Sequence, residues 1–113
     1  MPPTIEDRLR DIIEFIVQIE QLTGNMDIEQ FASNLVLRLA TERLLEIICE
    51  ASRHIPDTEK NAIPNIHWRK MVGFGNVLRH AYHSTDINIV WDVIRNELPA
   101  LKSFANARLS ASR

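Results

Sequence analysis

At 113 residues, 45% of them apolar and 25% charged, the chain has the makeup of one soluble globular domain that can bury a core without staples. A formal charge of −2 excludes any global electrostatic pull toward nucleic acid, so a surface for such a partner must be local. A single cysteine, Cys49, excludes an internal disulfide framework, and no apolar run approaches the roughly 20 residues that cross a bilayer.

The N-terminus, MPPTIEDRLR, is charged early and has no signal-peptide apolar region, so a cytoplasmic protein with no membrane partner is expected. Thr4 caps a first helix, with Asp7 three residues on as a capping-box variant. Ile5, Leu9, Ile12, Ile13, Ile16 and Ile19 recur at spacings of three and four and give that helix one buried face. Thr23-Gly24-Asn25 ends it. Asp27 caps a second helix to about His54, with Phe31, Leu35, Leu39, Leu45 and Ile48 as its apolar stripe. Arg38, Glu42, Arg43 and Glu46 offer charge pairs on its exposed side. Cys49 falls in the apolar run from Leu44 and is expected in the core.

Pro56 to Pro64 is a connection, with a helical turn around Thr58–Asn61. A third helix runs from about Ile66 to Ala81 or His83. Ser84-Thr85-Asp86 breaks the chain, and Asp86 starts a fourth helix through Ile89, Val90, Val93 and Ile94. Pro99 ends or kinks it, because proline lacks the N–H and clashes with the preceding turn. The residues from about Leu109 are expected to fray. The predicted fold is all-α: an up-and-down four-helix bundle with a short extra helical segment after Pro99, in one domain over residues 1–113.

The third helix carries the chemistry. With Asn76 at 0° on an ideal wheel, Arg69 falls near ~20°, His80 near ~40°, Gly73 near ~60°, His83 near ~340° and Arg79 near ~300°. Two arginines, two histidines and an asparagine thus share one sector. Trp68, Met71, Phe74, Leu78, Ala81 and Tyr82 take the remaining arc. Two of the three glycines stand in this helix, although each costs about 1 kcal/mol relative to alanine there. They thin the wall so that another helix or a ligand's phosphate can come near. Imidazole exchanges protons near neutral pH, guanidinium matches phosphate oxygens, and RNA brings its own nucleophile in the 2′-hydroxyl. The same pattern also describes an ordinary solvated helix face. His80 and His83, at i and i+3, could instead hold a metal ion, but no nearby thiolate or carboxylate completes that set.

The stretch Ile66-His67-Trp68-Arg69-Lys70-Met71-Val72-Gly73, followed by Gly75-Asn76-Val77-Leu78-Arg79-His80-Ala81-Tyr82, resembles the HepT-like branch of the HEPN superfamily. Asp86, Ile89-Val90-Trp91 and Leu98-Pro99-Ala100-Leu101 follow the same pattern. The resemblance implies a small helical bundle that forms a homodimer and brings two copies of an Arg-(four to six residues)-His motif to a shared cleft. It further implies the toxin of a toxin–antitoxin pair, a metal-independent endoribonuclease with no cofactor and RNA as substrate. The antitoxin partner is a minimal nucleotidyltransferase, which silences the toxin by adding AMP groups to a tyrosine two residues beyond the motif histidine. By position, the histidine is His80, the polar asparagine Asn76 and the modified tyrosine Tyr82.

One position departs from the pattern. The motif arginine would stand just before Asn76, where this chain has Gly75. Arg79 faces the same sector and can supply the cation, with Arg69 about two turns upstream and His83 at the rim as supporting groups. The alternative is a catalytically weakened HEPN module that binds its nucleotidyltransferase partner or a nucleotide.

Overall fold

The computed structural model describes residues 2–63, 65–81 and 85–111, and no strand occurs among them. Helix α1 runs from Ile5 to Thr23 and starts as its residues dictate. Thr4 Oγ1 accepts the Asp7 N–H at 3.0 Å, while the Asp7 carboxylate accepts the Thr4 N–H at 2.9 Å. A reciprocal cap of this kind is worth about 1 kcal/mol. Leu9, Ile12, Ile16 and Ile19 are fully buried. Gly24, at φ +43°, closes the helix in a conformation that a β-carbon disfavours.

The predicted second helix is two helices. Asp27 caps only the short α2, Ile28–Ala32, and the chain then turns at Ser33 and Asn34. The Asn34 carboxamide accepts the Leu37 N–H at 3.1 Å and starts α3, Leu35–Arg53. Asparagine competes with the helix for backbone hydrogen bonds, so it caps better than it continues. The break changes what lies inside. Phe31, Leu45 and Ile48 are core, but Leu35 and Leu39, expected on the same stripe, are 58% and 42% exposed. Of the four expected surface charges, Arg43 and Glu46 pair at 3.1 Å. Glu42 is buried instead, and half-buried Arg38 donates from Nη1 to the Ala32 carbonyl at 3.4 Å.

Helix α4, Asp57–Lys60, supplies the turn expected in the connection, and α5 spans Trp68–His80. Asp86 accepts the Asn88 N–H at 2.8 Å and starts α6, Ile87–Asp92. Of the two outcomes expected at Pro99, an end or a kink, the helix does not end there but is distorted just before it. A π turn, Val93–Glu97, leads directly into α7, Leu98–Ala111, and the Leu98 N–H bonds the carbonyl of Val93 five residues back. Widening the turn just before proline relieves the clash of its ring with the carbonyl four residues earlier. Burial of Leu98, Leu101 and Ala105 then holds the continued helix on the core.

The bundle follows from these faces. Helix α1 packs on α3 and α7, and α3 packs also on α5. The start of α5 is tied to the far rod through buried Glu97, which accepts from His67 Nδ1 at 2.9 Å and Lys70 Nζ at 3.0 Å. Trp68 meets Phe104 edge-on at 5.2 Å. The long rods α1, α3, α5 and α6 through α7 make the predicted all-α bundle, and α5 turns one face outward. Among the described residues, no helix is long and apolar enough to cross a membrane.

Candidate active site

Helix α5 buries Trp68, Met71, Phe74, Gly75 and Leu78, which leaves Arg69, Gly73, Asn76, Arg79 and His80 on the outside. The two glycines have opposite roles. A β-carbon on Gly75 would stand 2.7 Å from Cys49 Cβ, closer than side chains tolerate. Gly75 is therefore the point where α3 and α5 cross. A β-carbon on Gly73 would meet nothing within 4 Å, so internal packing gives no reason for that glycine. Cys49 is core, as expected: burial, and next the charge of Glu46, push its thiol up to about 12.

Arg79 is oriented from two sides. Its Nη2 donates to Asn76 Oδ1 at 2.9 Å, and its Nη1 stands 3.7 Å from Glu50 Oε2. Glu50 also accepts from Arg53 Nη2 at 2.7 Å and lies 3.1 Å from His54 Nε2. The hydrogen bond from Arg53 dominates and, against a smaller burial effect, brings the Glu50 carboxyl down from 4.5 to about 2, with His54 helping. A carboxylate that stays ionised so far down steadies Arg79 but also offsets part of its charge. Exposed pairs of this kind are worth about 1 kcal/mol or less, so a phosphate can outcompete Glu50 for the guanidinium.

The depressed carboxyl has a pH consequence. It contributes stability that is fully present above about pH 4.5 and is lost as the pH falls through about 2. Glu50→Gln is expected to flatten the acid side of the stability profile over that window, as measured by denaturant melts at a series of pH values. An unchanged acid slope would mean that the Arg53 bond does not persist in solution.

His80 is the last residue of α5 and is exposed, and its imidazole makes no hydrogen bond to another described residue. Tyr82 and His83 lie outside the described residues. The chain re-enters at Thr85, whose N–H donates to Glu42 Oε1 at 3.1 Å. Glu42 thus anchors the backbone at Thr85, a role its charge concealed. The available signal was its place on the i, i+3, i+7 stripe with Leu45 and Cys49. Among the described residues no three His, Cys, Asp or Glu side chains gather into a metal-holding group.

The arrangement therefore brings Asn76, Arg79 and His80 together at the exposed end of α5, and it places Arg69 about two turns away on the same face. An imidazole for proton transfer, a guanidinium for phosphate charge and a carboxamide that orients it are the parts phosphodiester chemistry uses.

The family model described as ribonuclease HepT-like matches residues 12–108. The chain is similar to a candidate RNase of Methanocaldococcus jannaschii, 36% identical over 83% of this chain and 86% of that one. It is 38% identical to the probable ribonuclease HepT of Thermococcus cleftensis, over 86% of this chain and 88% of that one. A second candidate RNase of M. jannaschii is 34% identical, over 83% and 78%. No solved structure is significantly similar to the chain.

Proposed function

Because the chain belongs to the ribonuclease HepT-like family, we propose that it is a metal-independent endoribonuclease acting as the toxin of a toxin–antitoxin pair. The observation that carries this reading is relatedness over nearly the whole chain to proteins that bear ribonuclease names. The exposed His80 and the Asn76-oriented Arg79 support it. His80 takes the proton of an RNA 2′-hydroxyl, the 2′-oxygen attacks the adjacent phosphorus, and the bond to the 5′-oxygen breaks. The leaving oxygen takes up a proton, and Arg79 balances the charge that gathers on the phosphoryl oxygens. Pure protein should cleave single-stranded RNA equally well with and without EDTA. Loss of activity with EDTA would transfer the chemistry to a metal. No cleavage at all would favour the second reading, a catalytically weakened module, which the burial of Gly75 against Cys49 also supports.

The working form is a cytoplasmic homodimer whose two-fold interface includes the polar sector of α5, so that two sites share one cleft. Leu35, Val36 and Leu39 on α3 and Val77 on α5 are among the large apolar side chains that one copy leaves exposed. An isologous interface should bury more than about 1,000 Å². A monomer in sedimentation at micromolar concentration would remove this part of the proposal.

The antitoxin is a minimal nucleotidyltransferase that adds AMP to Tyr82. Phosphate charge and bulk two residues beyond His80 would occupy the surface that RNA needs. Tyr82→Phe should block both modification and neutralisation, and intact-mass measurement of the co-expressed pair checks it. An unmodified Tyr82 in a neutralised complex would mean that the partner inhibits by binding alone.

A further inference from the structure

A groove of about 910 Å³ lies between α4 and the outer face of α5. Four basic or imidazole side chains line it, Lys60, His67, Arg69 and Lys70, against one acid, Asp57. Two of the four are occupied: His67 and Lys70 bond Glu97, and Lys70 also bonds Asp92 at 2.9 Å. Of the other two, the Arg69 guanidinium has no hydrogen bond or ion pair among the described residues, and Lys60 Nζ makes only a cation–π contact, 5.5 Å from the centre of the Trp68 ring. Ile63 and Val72 give the groove an apolar wall, and Gly73 leaves its α5 side bare where no described neighbour requires a glycine.

The groove is continuous with the candidate active site, because Asn76, the residue that orients Arg79, also lines it. From Arg69 to Asn76 is about 10 Å along the helix axis, and from Asn76 to His80 about 6 Å more. That is the reach of a few extended nucleotides. The volume also suits nucleotide-sized occupants, which fill sites of about 300–1,000 Å³.

We propose that this groove seats the single-stranded RNA flanking the scissile bond, with Lys60 and Arg69 holding its phosphates, a base against Ile63 and Val72, and the backbone passing close over Gly73. The assignment rests on the ribonuclease reading for its substrate class. It adds a track where sequence-tolerant binding comes from charge and an apolar surface together. It also gives Arg69 a task distinct from the catalytic one: it grips a neighbouring phosphate and leaves the reacting one to Arg79.

The test is fluorescence anisotropy with a labelled single-stranded RNA of mixed sequence, in a His80→Ala background that prevents turnover. Lys60→Gln with Arg69→Gln should weaken binding at least tenfold at low salt. The double variant should also reduce the slope of log affinity against log salt by about 1.4, at about 0.7 per phosphate contact on a single strand. Gly73→Leu, which projects a side chain into the groove from an otherwise open position, should weaken binding without altering the salt slope. Arg10→Gln, on the outer side of α1, is the control and should bind as the parent does. Parental affinity and salt slope in the Lys60/Arg69 variant would overturn the groove assignment. The two readings fail separately. Loss of binding in these variants, from a parent that never cleaves RNA, would sustain the groove and remove the ribonuclease. Cleavage by the parent with unaffected binding in the variants would do the reverse.

Discussion

Gly75→Arg, which restores the motif arginine by itself, should damage the protein rather than improve it. The new β-carbon would begin 2.7 Å from Cys49 Cβ, an atom one bond from the α3 backbone that cannot swing aside. Overpacking of a tight helix crossing costs about 1–3 kcal/mol, and a guanidinium that starts in a buried position adds desolvation to that. A loss of at least ~3 kcal/mol is expected, a fall in Tm of about 10 °C or more for a chain of this size. Cys49→Gly removes the obstructing atom at a modest cost of its own. The double variant should therefore be more stable than Gly75→Arg alone, with a coupling of about 2 kcal/mol in the mutant cycle. With that space the arginine stem can run along the α3–α5 seam and carry its charge to the surface. RNA cleavage by the double variant should then exceed that of the parent by about tenfold to a hundredfold, since one well-placed charge donor is worth that much or more. An unchanged melt for Gly75→Arg would show that the helix crossing is looser than the geometry requires. Rescue of stability without any gain in cleavage would mean that Arg79 already fills the cationic role.

The second large effect concerns His80 and Arg79. His80→Ala should lower single-turnover RNA cleavage by about a hundredfold to ten-thousandfold, because it removes the proton acceptor, while the nearby His54 imidazole is held by Glu50 at 3.1 Å. Arg79→Ala should cost about tenfold to a thousandfold. Neither change should move stability by more than about 1 kcal/mol. His80 is exposed, and the bonds Arg79 makes to Asn76 and Glu50 are surface bonds. That separation makes the measurement decisive, since activity falls while the melt stays. Asn76→Ala, which frees the guanidinium from its 2.9 Å bond, should give a smaller loss and should add nothing to the loss of Arg79→Ala in the double variant. Full activity in His80→Ala would take the histidine out of the chemistry and leave the weakened-module reading.

Much of this was written locally in the chain. Thr4 with Asp7, Asp27 and Asp86 start helices because each side chain reaches its own backbone within three residues, and such bonds need nothing from the rest of the fold. The α1 stripe of Leu9, Ile12, Ile16 and Ile19 and the polar sector of Arg69, Asn76, Arg79 and His80 follow from the helical period alone. The features that only tertiary structure decided all join residues distant in sequence. Glu42 is inside because it meets the Thr85 backbone 43 positions later, and Glu97 is inside because it meets His67 from 30 positions away. Periodicity sees only that such side chains are charged, and it sends them outward. Leu35 and Leu39 kept the right spacing yet stand in water, since the turn at Asn34 sets how much of α3 the other rods cover. Pro99 continues a helix because a π turn and a buried Leu101 outweigh its local penalty. Gly75 was read from sequence as a missing cation. Its packing role appears only when α3 brings Cys49 against it, because steric exclusion between two helices depends on where they cross, and no single segment encodes that.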